Sequence, residues 1–296
     1  MNPAVADMLA RYELDKSGNC ENALREIFQE IALLGLWRSN FFEHAAFYGG
    51  TALRVLHGLQ RFSEDLDFSL LSKAEEFDFD HHCRFIAREL DAWGFPVRME
   101  KKHKTGKSAV ESAFLKADTH ELLLRIDAPA DLRRTVHRNR VLRIKVEVDT
   151  DPPPASDTET RYLLHPIPFA VRAYTLPCLF AGKMHALLFR TWKNRVKGRD
   201  WYDFVWFAAR DIPLDLVHLT ARMKQTGHWS AEKPISRRAL IELLKERIAV
   251  LNVDAARADI SPFIPEPAQV DIWSADFFAQ VAGTIRVSDI PAGSGN

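Results

Sequence analysis

Cysteine is scarce in this chain, and the three present, Cys20, Cys83 and Cys178, lie far apart with no Cys-x-x-Cys spacing. An odd, dispersed set excludes a disulfide framework and a thiolate zinc site, and reads as reduced thiols in a cytoplasmic setting. Net charge is missing as well, since 40 Lys and Arg balance 40 Asp and Glu. No global field therefore draws the chain to nucleic acid or to a membrane, and any RNA contact must come from a local patch. No stretch approaches the roughly eighteen consecutive apolar residues of a membrane span. Met1–Asp7 lacks the charged and apolar regions of a secretory leader. Repeats and low-complexity tracts are absent too. The 296 residues, 47% hydrophobic and 27% charged, have the composition of a globular protein long enough for a real core and for two domains.

Periodicity divides the chain into two textures. Leu24, Ile27, Phe28, Ile31 and Leu34 recur at helical spacing and predict a helix over about 22–37. Residues 45–48 suit a buried strand, 51–57 a short helix, 66–70 a second strand and 80–93 an amphipathic helix ended by Gly94. Short alternating runs at 97–99, 113–115, 122–126 and 142–148 predict further strands of a mixed sheet. Asp151-Pro152-Pro153-Pro154 cannot continue a ladder and makes a rigid exit. Helical spacing returns from about Leu176, with helices expected over 183–190, 202–209, 214–224 and 237–248.

The most informative string is Tyr48-Gly49-Gly50-Thr51-Ala52-Leu53-Arg54, followed by Arg61-Phe62-Ser63-Glu64-Asp65-Leu66-Asp67-Phe68. A glycine pair between a strand and a helix presents bare backbone N–H groups and a helix N-terminus to an anion. Asp65 and Asp67, at i and i+2 of a strand whose Leu66 and Phe68 turn inward, would share the opposite face. Two adjacent carboxylates repel, an arrangement that a divalent cation relieves. The plainer alternative is a glycine hairpin with an ordinary acidic edge strand, which leaves the crowding of Arg61, Ser63, Glu64, Asp65 and Asp67 unexplained.

Gly-Gly-Thr, a short helix and then Asp-x-Asp resembles the DNA polymerase β-like nucleotidyltransferases. The fuller string GGTALR…RFSEDLDF resembles the AbiEii/AbiGii toxin family, the nucleotidyltransferase halves of toxin–antitoxin and phage-defence operons. The resemblance implies an α+β fold, with a nucleotidyltransferase lobe built on a mixed sheet over 1–175 and a C-terminal helical lobe over 176–296. It covers motifs near 47–70, 142–154 and 181–207, with a weaker echo at Asp259-Ile260-Ser261-Pro262-Phe263 that reads as packing. Thr51 stands where many polymerase β-like enzymes have serine, and still offers a hydroxyl to phosphate.

Two further segments complete the expected site. On 142–149 Ile144, Val146 and Val148 alternate with Lys145, Glu147 and Asp149, so one face presents a base and two acids, or is simply a solvated sheet face. A polymerase β-like site needs a third carboxylate; Glu147 and Asp149 are the candidates and Glu147 is favoured. Lys183, Ala186, Leu187 and Arg190 fall on one helical face, and Asp200 and Asp203 on one face of the next helix near its N-terminus. This resembles the family's Lys-x-x-Ala-Leu helix followed by Arg-Asp-x-x-Asp. It implies that Lys183 neutralises triphosphate charge and that Asp200 or Asp203 supports the site. The basic run Lys193–Arg199 could grip a triphosphate or an RNA backbone or be a solvated interhelix loop, and Arg98–Lys107 reads as an exposed hairpin that could also touch RNA. His81, His82 and Cys83 read as surface helix residues.

The expectation is an enzyme, a Mg²⁺- or Mn²⁺-dependent nucleotidyltransferase of a type IV-like toxin–antitoxin or phage-defence system. It would use an NTP, an RNA acceptor (tRNA among the candidates) and a separately encoded antitoxin, with no membrane partner. Asp65, Asp67, Glu147 and Asp149 are the expected metal ligands. Asp65, Asp67, Glu147, Lys183, Asp200 and Asp203 are the expected catalytic set. Gly49, Gly50, Thr51, Arg61, Ser63, Lys183 and Arg190 are expected to hold the nucleotide. The alternatives are a nucleotide- or RNA-binding module without chemistry that acts through a partner protein, and transfer to a protein side chain on the same fold.

Overall fold

The computed structural model of the chain describes residues 2–12, 17–73, 77–101, 110–118, 141–154, 156–190 and 196–288. They form two compact units. The first comprises Met1–Gly58, Phe62–Pro152 and Glu159–Ala173, and the second Leu59–Arg61, Pro153–Thr158 and Tyr174–Asn296.

The first unit carries a seven-stranded sheet and the helices packed on it. In chain order its elements are α1 (Pro3–Leu9), α2 (Ser17–Arg38), β1 (Ala45–Tyr48), α3 (Gly49–His57), β2 (Leu66–Leu70), α4 (Phe79–Ala92), β3 (Arg98–Lys101), β4 (Val110–Asp118), β5 (Val141–Asp149), β6 (Thr158–Leu163) and β7 (Phe169–Tyr174). The strand order is β3-β4-β5-β2-β1-β7-β6. Its centre is mixed: β1 runs antiparallel to β2, β2 parallel to β5, and β5 antiparallel to β4. The expected mixed sheet followed by helices is what is found.

Sequence pattern explains the layering. Leu66, Phe68 and Leu70 of β2 and Leu142, Ile144, Val146 and Val148 of β5 are buried, so the sheet turns one apolar face to the core. Phe68 sits against Phe41 and Phe47, with ring centroids 4.9 and 5.1 Å away. Each such ring contributes about 1.5–3 kcal/mol by leaving water. On α4, Phe79, Cys83, Ile86 and Leu90 make one buried stripe at helical spacing, and Asp78 caps the first turn by accepting from the His81 N–H.

The second unit is helical: α5 (Leu176–Phe189), α6 (Gly198–Ala209), α7 (Leu216–Gln225), α8 (Arg237–Ala249), α9 (Val253–Ile260) and α10 (Ala275–Thr284). Phe180 of α5 stacks on Phe207 of α6 at 4.4 Å, and Trp201 of α6 packs on Phe278 of α10 at 4.7 Å. Gly198 opens α6 where no side chain fits, since a Cβ there would lie 1.9 Å from the Ala256 carbonyl oxygen of α9. Arg199 lies over the Phe263 ring at 4.2 Å, the packing role expected of the 259–263 segment.

Three local readings are corrected. His82 and Cys83 are buried rather than surface residues; His82 Nδ1 lies 2.7 Å from Ser39 Oγ and its ring stacks on Phe77. Ser39 already donates to the Leu36 carbonyl, so the imidazole N–H is the donor between them. The strands β6 and β7 went unread: polar Thr158-Glu159-Thr160-Arg161 of β6 carries little apolar signal, whereas β7 does show the alternation Phe169, Val171, Ala173 on its buried face. Helix α5 ends at Phe189, leaving Arg190 exposed with extended backbone beyond it. The expected strand 122–126, and residues 193–195 and 102–107 of the two basic runs, lie outside the described residues. Among the described residues no helix is long and apolar enough to cross a membrane.

Candidate active site

Strand register assembles a row of side chains on the face of the sheet opposite the apolar core. Tyr48 of β1 pairs with Asp67 of β2, Asp67 with Glu147 of β5, and Glu147 with Ser112 of β4. Partners in a ladder project to the same side, so Tyr48, Asp67, Glu147 and Ser112 lie side by side across four strands, on strands about 4.8 Å apart. Asp67 and Glu147 thus become neighbours although eighty residues separate them in sequence. One row along, Ser69 pairs with Asp149. Asp149 is engaged in a local turn, accepting from the Asp151 N–H at 3.0 Å.

Helix α3 starts against this row. Gly49 has φ +84°, and a Cβ there would meet Asp67 Oδ2 at 2.5 Å. Both the backbone conformation and the close carboxylate require glycine. The chain therefore turns from β1 into α3 directly beside Asp67, with the helix N-terminus at the carboxylate. Gly50 is buried in the first turn. Thr51 is fully buried, and its hydroxyl donates to the Asp65 carbonyl. The expectation that this hydroxyl faces phosphate is corrected: it ties α3 to the segment leading into β2. Asp65 is half-buried, one residue before β2 begins. Ser63 is fixed through its carbonyl, which accepts from Gln29 Nε2 at 3.1 Å.

Lys145 Nζ lies 2.6 Å from Glu147 Oε1, so the cation of β5 neutralises its own neighbour on that face. Among the described residues no three Asp, Glu, His or Cys side chains converge to hold a metal ion. The four expected carboxylates are therefore not gathered into an all-protein cage. Two adjacent hard-oxygen donors nevertheless fit a magnesium-type ion, which takes one or two carboxylates and completes its shell with substrate phosphates and water. Asp67 and Glu147 are such a pair.

A separate charged cluster lies within the helical unit. Arg61 grips Asp203 with two hydrogen bonds, Nε to Oδ1 and Nη2 to Oδ2, both 2.6 Å. Lys183 Nζ shares Oδ2 at 2.8 Å. Asp203 is wholly buried, Arg61 2% exposed and Lys183 16%. Burial by itself would raise the Asp203 pKa; Arg61 and then Lys183 outweigh it and hold the carboxyl below its ordinary range. Burial would likewise lower the Arg61 pKa, and Asp203 reverses the sign. The nucleotide contact expected of Arg61 is corrected, since a sealed guanidinium spent on Asp203 cannot reach a ligand. Asp200 is buried in the first turn of α6, and the Arg190 carbonyl accepts from Arg247 Nη2 at 3.0 Å.

Ser112 and Tyr48 were missed because membership of the row depends on register, which no local pattern prints. The alternation of β4 does put Ser112 opposite Ala113 and Leu115, the one signal available.

The model of the family described as nucleotidyl transferase AbiEii toxin, type IV TA system, matches residues 31–281. The chain belongs to the AbiEii family. It is a nucleotidyltransferase, and the match runs from α2 through α10, so it takes in both the Asp67 row and the Asp203 cluster. Solved structures with similar folds include JHP933 from Helicobacter pylori, at 16% identity and TM-score 0.48, covering 88% of each chain. A putative nucleotidyltransferase from H. pylori is 18% identical at TM-score 0.46, covering 88% of this chain and 90% of that one. MenT4, a nucleotidyltransferase toxin from Mycobacterium tuberculosis, is 16% identical at TM-score 0.49, covering 95% and 98%. A search of the curated proteins finds no match.

Proposed function

We propose that this AbiEii-family enzyme transfers nucleotides from an NTP to an RNA acceptor, tRNA among the candidates. It would act as the toxin of a type IV toxin–antitoxin or phage-defence pair, in the cytoplasm and under a separately encoded antitoxin. The observation that carries the reading is the position of Asp67, beside Glu147 on one sheet face and against Gly49 at the start of α3. A carboxylate pair adjoining a helix N-terminus offers opposite ends of one problem, a place for cations and a place for phosphate.

Asp67 and Glu147 are the proposed holders of Mg²⁺ or Mn²⁺, with Asp65 next in line and Asp149 set aside by its turn. When bound, the ion would offset phosphate charge and acidify the attacking hydroxyl. The backbone N–H groups at Gly50 and Thr51 would face phosphate oxygens, with Gly49 allowing the approach. Glu147 would help accept the proton of the acceptor hydroxyl. Lys183 would supply positive charge to the leaving pyrophosphate. Asp203, itself gripped by Arg61, would fix that amine, and Asp200 adds its charge to the same cluster.

The purified protein should be incubated with each labelled NTP, Mg²⁺, total RNA and total protein. Label in RNA with one or two of the four NTPs supports the reading. Label only in protein would move the acceptor to a side chain. Nucleotide binding with no transfer to either would make the chain a binding module.

A further inference from the structure

Ser112 holds a buried hydroxyl that no hydrogen bond among the described residues uses. It is 2% exposed, and its Oγ is buried without a hydrogen-bond partner. A buried hydroxyl left unmatched is destabilising, so native structures rarely keep one without a reason. Its ladder partner is Glu147, and directly opposite residues have Cβ atoms roughly 4.5–5.5 Å apart, within reach of a serine hydroxyl. Glu147 in turn lies between Ser112 on one side and Asp67 on the other. Its Oε1 is held by Lys145 at 2.6 Å, an ion pair about a quarter exposed and open to exchange with solvent.

We propose that Ser112 is a positioning residue for Glu147, donating its hydroxyl proton to the carboxylate when that group turns from Lys145 to bind a divalent cation beside Asp67. The inference rests on the reading of Asp67 and Glu147 as the metal-holding pair. A carboxylate anchored from β4 presents its remaining lone pairs towards β2, where Asp67 stands. Hydrogen bonds behind a metal ligand commonly tune affinity 10–100-fold. Ser112 thus stores, in the metal-free fold, a donor that finds its acceptor only in the loaded one.

Mn²⁺ titration read by the electron paramagnetic resonance of the free ion, together with thermal melts in chelator, tests this without reference to activity. Ser112→Ala should weaken Mn²⁺ binding about tenfold while leaving the metal-free melting temperature unchanged or higher. Ser112→Thr, which keeps the hydroxyl, should bind close to wild type. Unaltered Mn²⁺ affinity in Ser112→Ala would overturn the proposal, as would a metal-free melting temperature that falls with the affinity, since that marks a packing role. Asp67→Ala separates the two levels. If it abolishes Mn²⁺ binding while Ser112→Ala binds like wild type, only the role of Ser112 fails. If Asp67→Ala binds Mn²⁺ like wild type, the metal-holding pair itself is wrong.

Discussion

Asp203→Asn is the substitution with the largest expected effect on stability, and the structure ranks it against its neighbours. The wild-type carboxylate answers two cations, Arg61 through both oxygens and Lys183 through Oδ2. An amide of the same size removes the negative charge and turns one acceptor into a donor facing a guanidinium or an ammonium. Arg61, 2% exposed, cannot escape to water. Removing one partner of a buried pair costs about 3–5 kcal/mol, a large part of the roughly 5–15 kcal/mol that holds a domain folded. At about 2–4 °C per kcal/mol for a unit of this size, melting should fall by about 6–20 °C. Arg61→Met should cost less, because Asp203 keeps Lys183. Lys183→Met should cost least, because the bidentate Arg61 contact survives and the lysine is the most exposed of the three. The assay is differential scanning calorimetry of the three variants with nucleotide transfer measured alongside. The order Asp203→Asn, Arg61→Met, Lys183→Met in lost stability is expected, with Lys183→Met losing transfer while still folded. A Lys183→Met protein that unfolds as readily as Asp203→Asn would refute the assignment of Lys183 to phosphate and make the cluster a structural triad.

Gly49→Ala should lower transfer and destabilise by about 1–3 kcal/mol, since the left-handed backbone and the Asp67 carboxylate both resist a Cβ; denaturant titration and a transfer assay check this. Thr51→Val removes the hydroxyl that ties α3 to the Asp65 carbonyl and should cost about 1–3 kcal/mol, with transfer falling as Asp65 loosens; a fully active, fully stable variant would remove that tie from the account. Burial first, then His81 and His44, pushes the His82 pKa down from 6.5 to about 4. The unfolded chain therefore takes up the proton at higher pH than the fold does. Stability is complete above pH 6.5 and is lost as pH falls towards 4, by about 1–3 kcal/mol for this group. His82→Phe should flatten that acid-side slope in melts run from pH 8 to pH 4.

The elements that carry chemistry were the easiest to read. β1 and β2 fall where composition puts them, because an apolar run bounded by Gly-Gly and an Asp-x-Asp alternation leave little choice of period. Helix α4 itself was equally plain, although its buried stripe takes in Cys83, which was expected at the surface. The strands β6 and β7 were not: the edge strand β6 has too little apolar contrast to stand out from a loop, while β7 carries the alternating buried residues Phe169, Val171 and Ala173 and was legible but not read. At the site, Asp67 and its glycine partner could be proposed from spacing, and Glu147 from alternation with valines. Their adjacency could not, because it is a property of register between β2 and β5. The fate of Arg61 was invisible for a related reason: a cation close to Asp65 in sequence is spent on Asp203, 142 residues further on. Thr51 shows the same limit, its hydroxyl serving the backbone of the strand approach instead of a ligand.

The most direct test is the transfer rate of Asp67→Ala, with circular dichroism and a melt to show that the variant is folded. Asp67 lies on the polar face and contributes nothing to the apolar core, so the fold should survive with little change. Transfer from NTP should fall by at least about a hundredfold, the scale set by removing a group that stabilises charge in a transition state. A folded Asp67→Ala protein with the wild-type transfer rate would contradict the account.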